Sequence, residues 1–94
     1  MIEWTDHSLQ QLDHAHDYIA LSNSESVAER ITMLMVSSVQ QLENFPMSGR
    51  AGRVRGTREL VIPQTPFLVV YTLEHGQITV LAIYHGAQRW PETF

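Results

Sequence analysis

The hydrophobic pattern of this 94-residue chain changes once, at the stretch "FPMSGRAGRVRG", residues 45–56. Before this stretch, apolar residues recur at helical intervals, and after it they form short runs of strand length. One proline and three glycines within the stretch prevent a helix from continuing through it. The chain therefore has a helical half followed by a strand half, which predicts an α+β fold.

The first half predicts a short edge strand, "MIEW", followed by two amphipathic helices. The helices extend to about Leu21 and Asn44, respectively. Their candidate N-caps are Thr5 or Asp6 for the first helix and Ser24 or Ser26 for the second. Because the connection between them is short, we expect the helices to form an antiparallel hairpin.

The second half predicts three consecutive strands, "RELVI", "FLVVYTL" and "ITVLAIYH", separated by the turns "PQTP" and "EHGQ". Tight turns between consecutive strands indicate an antiparallel meander. Neither of the last two strands alternates cleanly between apolar and polar residues, so much of each is expected to be covered on both faces. The predicted order is strand, helix, helix, strand, strand, strand (β-α-α-β-β-β), in a single domain over residues 1–94.

Composition excludes several classes of function. The chain has no cysteine, which excludes disulfides, thiolate zinc sites and cysteine nucleophiles. No apolar run approaches the ~20 residues that cross a bilayer. The start, "MIEWTDHS", has neither the basic region nor the apolar region of a signal peptide. We therefore expect a cytoplasmic protein with no membrane contact.

Charge is distributed unevenly along the chain. Residues 1–47 contain seven acids and one arginine (−6), and residues 48–94 contain three acids and five arginines (+2), which together give the net charge of −4. All six basic residues are arginines, whose planar side chains suit phosphate or carboxylate groups. Four of them lie close together in the chain: Arg50, Arg53, Arg55 and Arg58. This cluster predicts a surface for an anionic partner, and the alternative is a solvated loop without a partner.

A second candidate site is "YHGAQRW", residues 84–90. Tyr84 and His85 are possible proton-transfer groups, Arg89 is a possible anion clamp, and Trp90 offers a stacking surface. Adjacent strand residues face opposite sides, so Tyr84 and His85 line one pocket only if the strand ends between them. The alternative interpretation is that Tyr84 and Trp90 complete the core.

The first helix is rich in histidine and aspartate, which raises the question of a metal site. His14 and His16 are two positions apart, roughly 200° around a helix, and therefore do not converge on one ion. Asp13 can approach His16 or Asp17, but the pattern supplies no third strong ligand. We expect no metal site here.

The element order and three segments, "GRAGRVRGTREL", "FLVVYTL" and "VLAIYHGAQRWP", together resemble the RelE/ParE superfamily of toxins from bacterial type II toxin–antitoxin modules. The resemblance covers nearly the whole chain. It implies a cognate antitoxin that folds along the toxin. Operator DNA is then contacted by the antitoxin, and by the toxin only through it. It also implies one of two activities without a cofactor. RelE-like members are ribosome-dependent mRNA endonucleases, and ParE-like members inhibit DNA gyrase.

The chain departs from the ribonuclease pattern at several positions. The ribonucleases of this superfamily typically have an arginine where this chain has Leu68. They also have lysines or a glutamate around the second strand of the predicted sheet, which here reads Glu59-Leu60-Val61 without a lysine. They also have a basic residue near the C-terminus, where this chain has Gln88, and a terminal tyrosine or histidine, where it has Phe94. These departures favour inhibition of gyrase over cleavage of mRNA.

The resemblance assigns two sets of candidate site residues. If the chain is a ribonuclease, the catalytic residues are Arg58, His85 and Arg89. The residues expected to bind the target in either case are Arg50, Arg53, Arg55, Arg58, Arg89 and Trp90. A further alternative is a protein-binding module without toxicity. Direct operator binding by this chain is disfavoured, because no predicted helix has a base-reading arrangement of side chains.

Overall fold

The computed structural model describes residues 1–86 of the chain, and its elements follow the predicted order. The strands are β1 (Ile2–Trp4), β2 (Arg50–Ala51), β3 (Arg58–Val61), β4 (Phe67–Glu74) and β5 (Gln77–His85). The helices are α1 (Asp6–Ser22) and α2 (Glu25–Gln40), followed by a short 3-10 helix (Gln41–Glu43). This arrangement confirms the α+β prediction. Neither α1 nor α2, the longer helices of this described part, is long and apolar enough to cross a membrane.

The strands form one sheet in the order β1-β5-β4-β3-β2. The predicted meander of β3, β4 and β5 is antiparallel, and the predicted edge strand β1 lies parallel to β5. The fifth strand, β2, was not expected, because the stretch that contains it reads only as a loop. In β2, Arg50 pairs with Glu59, and Ala51 pairs with Arg58. A strand of two residues is too short to show a periodic pattern in the sequence.

Both long helices begin at residues that the sequence offers as N-caps. The Oγ1 atom of Thr5 accepts a hydrogen bond from the backbone N–H of Ser8, and the Oγ atom of Ser24 accepts one from Val27, each at 3.1 Å. These bonds satisfy backbone N–H groups that a helix leaves unpaired in its first turn. Only two residues connect the helices, which pack against each other as the expected hairpin.

The two faces of the sheet have different roles. Cross-strand partners share a face, so Leu60, Val69 and Ile83 lie on the first face, beneath the helices. The helices contribute buried side chains to this main core: Ala15, Ile19, Ala28, Met35 and Val39. On the second face, a smaller buried cluster contains Val70, Ala82 and Tyr84.

Strand β5 contains one extra residue, Leu81, at a register shift opposite Val70 and Tyr71. Alternation along β4 places Val70 on the second face and Tyr71 on the first, and the extra residue lets Val80 pair with Tyr71 on that first face. Such a bulge lets one strand change the direction of its side chains locally.

Tyr71 is fully buried, and its hydroxyl holds the loop that precedes β2. The hydroxyl donates to the carbonyl of Pro46 at 2.8 Å and accepts from the backbone N–H of Gly49 at 3.0 Å. Residue 49 must be glycine here, because a Cβ atom would lie 2.5 Å from the hydroxyl oxygen. From the next strand, Nη2 of Arg58 donates to the carbonyls of Met47 at 3.1 Å and Gly49 at 2.6 Å.

We expect Tyr71→Phe to lower the free energy of unfolding by about 1–3 kcal/mol, because the buried N–H of Gly49 and the carbonyl of Pro46 would lose their partner. Urea unfolding monitored by circular dichroism would measure the change. Tyr18→Phe is the matched control, since Tyr18 is 65% exposed. Equal stability of the two variants would show that the Tyr71 hydroxyl does not hold the loop.

Candidate functional site

A cluster of charged side chains lies where β2 meets β3, and we call Arg50, Arg53, Arg55 and Glu59 the basic edge. Glu59 lies on the second face of the sheet and is only 2% exposed. Its Oε1 accepts hydrogen bonds from Nε and Nη2 of Arg50, at 3.3 and 3.1 Å. Its Oε2 accepts from the backbone N–H and Nε of Arg53, at 2.8 and 3.2 Å. One buried carboxylate therefore organises two arginines.

The pKa of Glu59 lies below its ordinary value of 4.5. Burial acts to raise this pKa, but the hydrogen bonds from the backbone and side chain of Arg53 and from the side chain of Arg50 outweigh burial. Glu59 is therefore ionised at neutral pH. Its negative charge offsets one of the two arginines it holds.

The turn that presents the arginines is closed by its own hydrogen bonds. Thr57 donates to the carbonyl of Val54 through its backbone N–H at 3.1 Å and its hydroxyl at 2.6 Å. The N–H of Gly52 donates to the carbonyl of Thr57 at 2.8 Å. Arg55, at the tip of this turn, is exposed and makes no hydrogen bond or ion pair within residues 1–86. Three arginines and one glutamate give the basic edge a net charge of +2.

The side chain of Arg58, predicted to belong to the site, supports the neighbouring loop instead of extending toward solvent. Its Nη2 caps two carbonyls of that loop, and its Nε is buried without a hydrogen-bond partner among the described residues. His85 lies at the far end of β5, where its ring meets the edge of Phe67 at a centroid distance of 5.7 Å. Arg58 pairs with Tyr71, and His85 pairs with Phe67. These partners, Tyr71 and Phe67, are four positions apart along β4, a distance of about 13 Å.

The structure therefore does not bring Arg58 and His85 together. Tyr84 and His85 face opposite sides of the sheet, as the alternation of strand residues predicts. Two other predicted site residues, Arg89 and Trp90, lie outside the described residues, as do Gln88 and Phe94. Within residues 1–86, no three or more acidic, histidine or cysteine side chains are arranged to hold a metal ion.

A groove between α1 and the sheet was not anticipated from the sequence. It has a volume of about 400 Å³ and is lined by Gln11, His14, Ala15, Tyr18, Phe67, Ile83 and His85. Within it, Oε1 of Gln11 accepts a hydrogen bond from the backbone N–H of Ile83 at 2.7 Å. Beyond it on α1, Leu21 is 90% exposed. The sequence signal that could have indicated this surface is the pair Tyr18 and Leu21, two large apolar residues three positions apart in the predicted helix.

Comparisons with known proteins agree along most of the chain. A family model described as the ParE toxin of type II toxin-antitoxin system, parDE, matches residues 2–90. A curated relative, "Putative toxin Y4kP" of Sinorhizobium fredii, is 33% identical over 91 residues, which cover 97% of this chain and 93% of the relative. A solved structure described as "Chromosomal ParDE TA system from P. aeruginosa" superposes with a TM-score of 0.82 at 23% identity, covering 89% of this chain and 92% of that chain. This last likeness concerns the fold.

Glu59→Gln is expected to reduce the free energy of unfolding at neutral pH by about 1–3 kcal/mol, because a neutral amide accepts weaker hydrogen bonds from Arg50 and Arg53. The control is Glu74→Gln, an exposed carboxylate at the end of β4. Urea unfolding would measure both variants.

The effect of Glu59 has a defined pH dependence. Its pKa is lower in the folded state than the ordinary 4.5, so its stabilisation is present above 4.5 and is lost as pH falls through the folded-state value. The stability difference between wild type and Glu59→Gln should therefore shrink in acid. A difference that stays constant down to the lowest pH at which the protein is folded would contradict this account.

Proposed function

Because this chain belongs to the ParE family of toxins from type II toxin–antitoxin systems, we propose that it arrests bacterial growth by inhibiting DNA gyrase in the cytoplasm. In this proposal, a cognate antitoxin neutralises it by direct binding, and operator DNA is contacted through that antitoxin. The observation that best supports this proposal is the geometry of the basic edge. This edge presents arginine donors in a fixed arrangement, and the carboxylate beside them, Glu59, already accepts two hydrogen bonds on each oxygen.

The arrangement of the remaining side chains favours binding over RNA cleavage. In-line attack by a ribose 2′-hydroxyl develops charge on the nucleophile and on the phosphorane, and loss of one preorganised cationic contact typically costs ~10²–10³ in rate. Leu68 occupies a position where the related ribonucleases have an arginine, and here it is a buried side chain paired with Tyr84. Arg58 and His85 are held by different parts of the sheet.

The groove on α1 is the surface we assign to the antitoxin. Its walls are largely apolar, and the exposed side chains of Tyr18 and Leu21 extend it along the helix. Asp13 and Asp17 on the same helix are exposed and acidic. This combination suits an amphipathic segment with apolar and basic side chains, disordered alone and folded when bound. The groove and the basic edge involve different elements, so the antitoxin and the target need not share contacts.

The direct test is inhibition of plasmid supercoiling by purified bacterial DNA gyrase. The purified toxin should inhibit supercoiling or trap cleaved DNA, and added antitoxin should restore activity. In a parallel assay with ribosomes and mRNA, the toxin should produce no codon-position cuts. Cuts in that assay together with unaffected supercoiling would overturn the proposal in favour of an mRNA endonuclease. If induction of the toxin alone leaves colony counts unchanged, the chain is a binding module without toxicity.

Arg55→Glu is expected to raise the toxin concentration needed for half-inhibition of gyrase by about tenfold or more, because it reverses an exposed charge at the tip of the basic edge. Arg30→Glu is the matched control, since Arg30 is an exposed arginine on α2. Both variants should retain antitoxin binding in a pull-down. If the two variants inhibit gyrase equally well, the basic edge does not contact the target.

The double variant Tyr18→Ser/Leu21→Ser is expected to lose co-purification with the tagged cognate antitoxin and to arrest growth even when the antitoxin is co-expressed. Leu9→Ser is the control, because Leu9 is an exposed apolar residue on the opposite side of α1. Unchanged co-purification of the double variant would show that the antitoxin binds elsewhere.

A further inference from the structure

The loop Phe45–Gly49, which we call the apolar loop, places two large apolar side chains in solvent. Phe45 is 63% exposed and Met47 is 62% exposed. Exposed apolar side chains are common singly, but here two come from one short loop that leads directly into the basic edge. Aromatic side chains, methionine and arginine are the residues enriched where proteins contact one another.

The backbone of the apolar loop is fixed at nearly every residue. The N–H of Phe45 donates to the carbonyl of Gln41 at 2.9 Å, and the N–H of Ser48 donates to the carbonyl of Phe45 at 3.0 Å. Tyr71 holds Pro46 and Gly49, and Arg58 holds the carbonyls of Met47 and Gly49. Pro46 also restricts its own φ angle.

These bonds fix the backbone from which the two exposed side chains extend. A loop ordered before binding loses less conformational entropy when it binds, so more of the contact energy appears as affinity. Two side chains on the first face, those of Tyr71 and Arg58, use their polar groups to hold the loop. The core itself gains no burial from Phe45 and Met47, since both side chains remain outside it.

The charges beside the loop indicate the class of partner. The loop continues directly into Arg50, the first residue of the basic edge, whose net charge is +2. An acidic surface complements this edge. A nucleic acid is a poorer match, because it offers no apolar cleft for the methionine side chain, which has no planar surface to stack on a base.

We propose that the apolar loop is a docking element that inserts Phe45 and Met47 into an apolar cleft of a folded protein whose rim is acidic. The inference rests on the proposed function in one respect: the partner with these features is taken to be the toxin's target. The basic edge then contacts the acidic rim, and the apolar loop supplies most of the affinity, as buried anchors do at protein interfaces.

The test compares Phe45→Ser/Met47→Ser with Met33→Ser, a control on α2 whose side chain is 71% exposed. Binding of each protein to purified bacterial DNA gyrase would be measured by biolayer interferometry, with ribosomes and duplex DNA as comparison ligands. The double variant should bind gyrase about 30-fold more weakly, and the control should bind as wild type does. Urea unfolding should show that both variants are as stable as wild type, because neither changed side chain is in the core.

The possible outcomes separate this inference from the proposed function. If wild type binds gyrase and the double variant binds it equally well, the docking inference is wrong and the proposed function stands. If wild type binds only ribosomes or DNA, a folded acidic protein is not the partner and both fall. If wild type binds none of the three, the docking inference is overturned. The proposed function is then tested by induction of the toxin alone, and it falls if growth is not arrested.

Discussion

The hydroxyl of Tyr71 connects the centre of the sheet to the surface that we assign to the target. Alternation along β4 places Tyr71 on the first face, and the extra residue in β5 places Val80 opposite it on that face. From there, its hydroxyl satisfies one donor and one acceptor of the loop Phe45–Gly49. That loop leads into β2, and β2 positions Arg50 against Glu59. The Tyr71 hydroxyl thus links the core of the sheet to the apolar loop and, through that loop, to the basic edge.

Glu59 orients the charged side chains of the basic edge. Without a buried carboxylate, closely spaced arginines repel one another and adopt many side-chain orientations. With Glu59 ionised, Arg50 and Arg53 are held at 3.1–3.3 Å from its oxygens, and the surface remains positive. A surface built in this way is suited to recognition of another molecule, because its donors are oriented before the partner arrives. Each oxygen of Glu59 accepts two hydrogen bonds from these arginines, so the carboxylate is used to position them.

The parts of the fold that depend on local sequence were predictable, and the parts that depend on distant contacts were not. Helix caps and periodicity indicated both helices, and turn residues indicated the meander. The hydrogen bond between Tyr71 and Gly49 links residues separated by 22 positions, and no local pattern encodes it. The arginine cluster was visible in the sequence. The bonds from Arg58 to the carbonyls of Met47 and Gly49 were not, because they depend on how the loop folds over β3. The groove on α1 depends on how the helix packs on the sheet.

The most direct test of the account is a pulse induction of the toxin without its antitoxin, in which DNA synthesis and protein synthesis are followed separately over the first minutes. The account predicts that DNA synthesis falls first, with induction of the SOS response, while translation continues. Early loss of translation with cuts at defined codon positions in mRNA would contradict it and would mean that this fold, with its basic edge, acts on the ribosome.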